Sequence, residues 1–237
     1  MRHPSAALAF AFASALPGAA GCAKDTIEEC PGHCTLVTGQ LLTSGLQPLA
    51  GAPVTAKWTS GHGLINVLRT KARATTDAQG HFQVRFLVQD DELHRGSFQL
   101  AYEVDPGRYY ALNNTDSPDT GAAGLQRDTT YRLAPVLIPR KAFVQLTVPN
   151  AAQIQPFFSV DFTSAQGHAL TATKHALGGG ASIGIAPQNA PFTTAVEIAG
   201  DQTVYVRATR SGPNGPVSTV DSLVVPAGTT RALTVRY

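Results

Sequence analysis

The chain has 237 residues, with 18 Lys and Arg against 16 Asp and Glu, and 7% of it is aromatic. A formal net charge of +2 gives no general electrostatic reason to bind nucleic acid, and no partner of that class is expected. Low charge together with 22 Gly and 16 Pro suits many short strands joined by turns rather than helices.

Met1-Arg2-His3 is a short basic start, and an apolar run from Ala6 to Leu16 follows it. Small residues come next, ending in Ala19-Ala20-Gly21-Cys22. This is the order of a secretory signal, and its apolar run is too short to span a bilayer. A cysteine directly after small residues resembles a bacterial lipobox. The resemblance implies a signal peptide over 1–21, lipid on the sulfur of Cys22 and a tether over 22–33. The lipid would make the membrane a partner. An ordinary secretory signal cut near Ala19 or Ala20 is the competing reading, and it leaves Cys22 as an odd thiol. Ala23 stands where an aspartate is associated with inner-membrane retention. The expected location is therefore the outer membrane, on its periplasmic face or at the cell surface.

Cys30 and Cys34 remain as a pair in an exported, oxidising compartment. Pro31-Gly32 between them makes a turn that can bring the sulfurs together, and a disulfide is expected. A redox dithiol, or a metal site including His33, would need a Cys-x-x-Cys spacing or a second ligand cluster, and neither is present.

Thr35 to Thr43 reads as a strand, and Leu46 to Pro53 as a turn-rich connection. Val54, Ala56 and Trp58 alternate on one face, which makes Trp58 a core residue. Leu64 to Thr76 reads as a longer strand or hairpin arm, and Asp77-Ala78-Gln79-Gly80 as a turn with glycine last. Phe82, Val84, Phe86 and Val88 then point one way, while His81, Gln83 and Arg85 point the other. Phe98, Leu100, Tyr102 and Val104 repeat the pattern before the Asp105-Pro106-Gly107 turn. One apolar face per strand predicts a two-sheet sandwich.

Gly39-Gln40-Leu41, Pro48-Leu49-Ala50-Gly51-Ala52-Pro53-Val54 and Thr76-Asp77-Ala78-Gln79-Gly80-His81-Phe82 resemble the carboxypeptidase regulatory-like domain. The resemblance covers about residues 35 to 112. It implies a prealbumin-like (transthyretin-like) sandwich of seven strands and an accessory fold with no catalytic residues.

Residues 113 to 130 read as a long polar loop. Asp116, Asp119 and Asp128 offer oxygen ligands there, but without the regular spacing of a calcium loop. Tyr131 to Val148 returns to strand character, part of it closing the first sandwich, and the boundary is placed near Pro139-Arg140-Lys141. Beyond it, Phe158, Val160 and Phe162 alternate, as do Val204, Val206 and Ala208. Leu223 with Val225, and Leu233 with Val235 and Tyr237, do the same. Gly178-Gly179-Gly180, Ser211 to Pro216 and Pro226-Ala227-Gly228 are the turn signals between them. The expected fold is all-β, with two tandem Ig-like or prealbumin-like β-sandwiches at 34–139 and 140–237.

No catalytic constellation stands out. There is no His-x-x-x-His, no Gly-x-Ser-x-Gly elbow and no phosphate loop at Gly178-Gly179-Gly180. His168 and His175 lack companion ligands. No cofactor and no metal are expected. Arg69, Lys71 and Arg73 alternate on one strand, and Arg85 follows on the next. They make a candidate basic stripe for acidic glycans or phosphates, against the plainer reading of a solvated sheet face. Tyr109 and Tyr110 are a candidate aromatic platform for a carbohydrate, or else core and edge residues of a strand. The expected function is a non-enzymatic, lipid-anchored envelope protein that binds or assembles with envelope proteins or glycans. A carbohydrate-binding accessory lipoprotein and a hydrolase with a non-local active site are the alternatives.

Overall fold

The structure is a computed structural model that describes residues 27–62, 65–110, 120–122, 125–175 and 178–237. Cys22, Asp116 and Asp119 lie outside the described residues, so the readings placed on them do too.

The first sandwich is built around β1 (Thr35–Thr43). This strand pairs antiparallel with β5 (His81–Phe86) from Thr35↔Phe86 to Gln40↔His81, and with the short β2 (Gln47–Pro48). Its other edge takes β8 (Thr130–Arg132) and β9 (Val136–Leu137), both parallel. The facing sheet runs β4-β3-β6-β7, with β3 (Pro53–His62), β4 (Ile65–Thr75), β6 (Ser97–Tyr102) and β7 (Thr120–Ala122). The period-two pattern sets which side chains meet. Phe82, Val84 and Phe86 are buried while His81, Gln83 and Arg85 are exposed. Phe82 meets Tyr102 at 5.8 Å and Phe86 meets Phe98 at 5.7 Å, ring to ring across the two sheets. Trp58, Tyr102 and Phe86 are all under 2% exposed. Large side chains buried to this degree contribute roughly 1.5–3 kcal/mol each. The stretch read as one loop at 113–130 contributes β7 to the edge of this sheet, and Leu125 to the core.

Two turn glycines are fixed by close approach. Gly80 has φ +74°, and a Cβ there would stand 2.3 Å from the Leu41 carbonyl oxygen. Asp77 Oδ1 accepts the Gln79 and His81 N–H groups and closes the same turn, which carries the chain from β4 in one sheet to β5 in the other. Gly96 has φ +76°, and its Cβ would lie 2.5 Å from the Thr59 carbonyl oxygen and 2.8 Å from the Trp58 ring.

The second sandwich pairs a three-stranded sheet with a four-stranded one. The first runs β13-β10-β16, with β10 (Lys141–Val148), β13 (Phe192–Ala199) and β16 (Thr230–Thr234). The other runs β12-β11-β14-β15, with β11 (Phe158–Ser164), β12 (Gly179–Ile185), β14 (Thr203–Gly212) and β15 (Gly215–Val224). Ala142, Val144, Leu146 and Val148 face Phe158, Val160, Phe162, Val204 and Val206 in one core. Phe158 packs edge-on against Tyr237 at 5.6 Å, and the Asn150 side chain accepts the Tyr237 N–H.

The glycine run read as a turn starts a strand instead. Gly179 and Gly180 pair with Ser164 and Thr163 on β11. A Cβ on Gly180 would fall 1.6 Å from the Phe162 carbonyl oxygen, and the Gln166 side chain occupies the space beside Gly179. The run is glycine because backbone and side chain approach it closely.

Residues 138–141, where the boundary was placed, are bonded on both sides. Ile138 N–H donates to Leu42 O, and Lys141 N–H to Arg108 O. Pro139 O accepts from Tyr110 N–H, Arg140 O from Gly200 N–H, and Lys141 O from Gly228 N–H. Ser44 completes the seam. Its hydroxyl accepts the Arg140 N–H and donates to Gly200 O, both at 2.9 Å. Leu137 and Gly167 exchange two further backbone bonds. Every backbone polar group of Arg140 and Lys141 therefore has a partner in one sandwich or the other, which is what a buried crossing requires.

Candidate binding surface

The basic residues of β4 do not share one outward face. Ala56 lies opposite Ala72 and Lys57 opposite Thr70, so Lys71 is the extra residue of a β-bulge. Across a bulge the inside and outside positions exchange. Lys71 is 5% exposed beside buried Ala72, whereas Arg73 is exposed. Arg69 lies opposite core-facing Trp58, with its guanidinium 4.7 Å from the indole centroid. Arg85 is exposed on β5, in the other sheet, and donates to Gly32 O at 2.9 Å. Arg69, Lys71, Arg73 and Arg85 thus form no continuous stripe. The bulge separates Arg69 and Lys71 from Arg73, and the placement of β5 in the other sheet separates Arg85.

Arg69 and Lys71 instead converge on acids from the connection between β5 and β6. Residues Asp90–Glu92 make a single 3-10 turn, and the Glu92 side chain is fully buried. Glu92 Oε1 receives Lys71 Nζ at 2.8 Å and Arg69 at 3.2 Å, and its Oε2 accepts the Gln89 N–H at 2.9 Å. Arg69 also pairs with Asp91 at 3.0 Å. Its hydrogen bond, and that of Arg95, hold the Asp91 carboxyl below the usual carboxylate range. The Gln89 side chain donates to Glu28, and Arg127 bonds Asp90 and Val88 O. This is a self-satisfied ion cluster that ties Glu28 and the 87–96 connection to the sandwich. It offers an incoming anion little uncompensated charge.

The tyrosines form no platform either. Tyr110 is 7% exposed and Tyr109 is half-buried against the first core. The Tyr110 N–H bonds Pro139 O, and Tyr109 bridges to Arg140, which draws both into the seam between the sandwiches. Burial, and then the charge of Glu197, push the Tyr110 hydroxyl above its ordinary value.

Cys30 and Cys34 are joined by a disulfide, with Cα atoms 5.9 Å apart. His33, His168 and His175 are exposed. Among the described residues, no group of three or more His, Cys, Asp or Glu is placed to hold a metal ion, and no helix is long and apolar enough to cross a membrane. Asp128 sits in a turn at φ 54°.

Two open surfaces remain. One is a mixed groove of about 570 Å³ on the first sandwich, where Gln40, Asp77, His81 and Arg132 stand beside Leu133 and Pro135. The other is a cleft of about 480 Å³ between β15 and β16. Apolar Val206, Leu223 and Leu233 line its floor, and Asp221 and Arg231 stand at its mouth. Neither cleft residue was marked by sequence. A charge at an inward position of a late strand is a signal that could have found Asp221. Both surfaces offer hydrogen bonds and apolar contact, which is the chemistry of recognition.

No family model matches the chain, and no curated protein matches it. Among solved structures it is similar to a 9R-lipoxygenase from Cyanothece PCC8801, at 16% identity and a TM-score of 0.31, over 48% of this chain and 18% of that one. It is similar to the Bacillus anthracis TIE protein at 10% identity and a TM-score of 0.32, over 86% of this chain and 34% of that one. The shaft pilin SpaA from Lactobacillus rhamnosus GG, as its D295N mutant, matches at 11% identity and a TM-score of 0.34, over 86% and 98%. The chain thus spans about a fifth of the lipoxygenase and a third of the TIE protein. Likenesses this loose assign no residue equivalence and no activity. The class of protein that the fold defines is an all-β chain of two packed sandwiches.

Proposed function

We propose that this chain is a non-enzymatic, lipid-anchored protein of the cell envelope that acts as a binding or assembly module. The first sandwich would be of the carboxypeptidase regulatory-like kind, and Cys22 would carry the lipid. The observation that supports the reading is that the chain is held against the first sandwich from Glu28 onward. Only six residues beyond Cys22, Glu28 already accepts a hydrogen bond from Gln89. Arg85 then holds Gly32, and the Cys30–Cys34 loop precedes β1 directly. A tether docked in this way would hold the sandwiches close to an outer-membrane surface and present the groove of the first sandwich and the β15–β16 cleft to envelope proteins or glycans. With Tyr110 buried, a glycan would have to be bound by one of those surfaces rather than by stacked tyrosines.

The test is mass spectrometry of the chain extracted from bacterial membranes, beside a Cys22→Ala variant. A diacylglyceryl-modified N-terminus at Cys22, and release of the variant into the soluble fraction, are expected. A mature wild-type chain that is soluble, with Cys22 unmodified, overturns the anchor.

A further inference from the structure

The second sandwich is one strand short on one side: four strands face three. The four-stranded sheet ends in β12 on one edge and β15 on the other, and β15 is ten residues long, of which only Leu223 is buried. It exposes Val217 at 46%, Val220 at 38% and Val224 at 53%. Its sequence, Gly215-Pro216-Val217-Ser218-Thr219-Val220-Asp221-Ser222-Leu223-Val224, holds one charge and no lysine. Long, weakly charged, β-branched edges are templates for another strand, and proteins ordinarily blunt them.

The backbone of β15 is set up for pairing. The corner Pro213-Asn214 has two residues, so Gly212 and Gly215 exchange the closing hydrogen bonds of the hairpin. Counting from there, odd-numbered residues bond β14, and Ser218, Val220 and Ser222 turn N–H and C=O outward. Pro216, which has no N–H, takes the first edge position, where none is needed.

Charge selects the partner. Asp221 lies opposite Val206 and Arg210 lies opposite Val217, so both are on the inward face of the hairpin. Among the described residues neither belongs to an ion pair; the Asp221 carboxylate accepts only the N–H of its neighbour Ser222, at 2.7 Å. An inward aspartate disfavours indiscriminate edge pairing because it must be matched.

We propose that β15 pairs antiparallel with β15 of a second copy of this chain, about a two-fold axis through Thr219. In that register Asp221 stands opposite Val217 of the second copy, whose β14 neighbour is Arg210. The two-fold repeats the Asp221–Arg210 pair, so each copy supplies both the acid and the base. Ser218 of one copy exchanges hydrogen bonds with Val220 of the other. Once Asp221 turns to Arg210, the Ser222 N–H is released to Pro216 O across the axis. Thr219 meets Thr219 as a close non-hydrogen-bonded pair, and the Val220 side chains are diagonal neighbours. The result is one continuous eight-stranded sheet, an isologous interface that closes on itself.

Cysteine trapping in the full-length chain, in its own membrane, tests the register. Close non-hydrogen-bonded pairs have Cα atoms about 4.5 Å apart, within disulfide reach, whereas diagonal positions exceed the ~7 Å limit. Thr219→Cys should give a covalent dimer under mild oxidation and Val220→Cys should not. Sedimentation of the detergent-solubilised chain should show a dimer. Ser218→Pro should dissolve it, and so should Asp221→Arg, with Asp221→Arg/Arg210→Asp restoring it. Circular dichroism of each variant checks that it is folded. A monomer at all concentrations overturns the proposal. So does trapping at 220 but not 219, or a folded Ser218→Pro variant that still dimerises.

Discussion

Lys71 and Glu92 show how much a single contact can be asked to hold. Both side chains are almost fully enclosed, 2.8 Å apart, and each oxygen of Glu92 has a donor. Removing one partner of such a pair leaves the other charged and buried, which costs about 3–5 kcal/mol, whereas replacing both by apolar groups is often neutral. Glu92→Leu alone and Lys71→Met alone should each lower stability to urea by about 3–5 kcal/mol, and the double variant should recover most of the loss. Single losses that simply add would mean the pair is not coupled. The sequence showed Lys71 as an outward cation because strict alternation makes it one. A bulge is one residue of slippage between two strands, and alternation on one strand carries no record of it. The Gln89-x-x-Glu92 spacing was the visible hint, since a carboxylate three residues on can reach back to the turn's first N–H.

At the scale of strands, legibility followed the pattern of burial. β5 buries one face and exposes the other, β6, β11 and β14 bury one face more completely than the other, and period-two alternation found their cores. β12 and β15 were blurred for other reasons: β12 alternates in burial but opens on glycines pressed against β11, which carry no side chain to show it, and β15 is exposed on both faces apart from Leu223. The Asp77–Gly80 turn was legible because its chemistry is local. Gly96 was not, because what demands glycine there is the distant Trp58 ring. Gly96→Ala should therefore cost more than the roughly 1–2 kcal/mol that left-handed backbone alone imposes on a residue with a Cβ. The single tryptophan is a built-in reporter: its fluorescence should shift in the folded variant as the ring is displaced. An unchanged spectrum with unchanged stability would mean that the β5–β6 connection gives way instead.

Over the whole molecule, the two cores are separate but the crossing between them is bonded residue by residue. Asp201 pairs with Arg140 on the second-sandwich side of that crossing. Its carboxyl is held below the usual range, first by the Ala227 N–H and then by Arg140. A carboxyl whose value is lowered on folding stabilises the native state fully above its unfolded value, about 3.9, and loses that contribution as pH falls through the lowered value. The urea midpoint should therefore fall as the solution is taken below about pH 4, and Asp201→Asn should flatten that limb while Asp91, on the far cluster, keeps part of it. An acid limb equally steep in Asp201→Asn would remove the seam from the explanation.

The way residues 27–34 lead into β1 has a mechanical consequence. β1 begins one residue after the disulfide loop and is clamped along its length, by β5 on one edge and by β8 and β9 on the other. A pull on the residues ahead of Cys34 runs along the strand axis, so it shears these ladders together rather than peeling them one bond at a time. Six residue pairs with β5 share the strain from the outset. Tugged from that end, the first sandwich resists as a unit, and its lifetime under tension is set by the rate at which the whole ladder gives way.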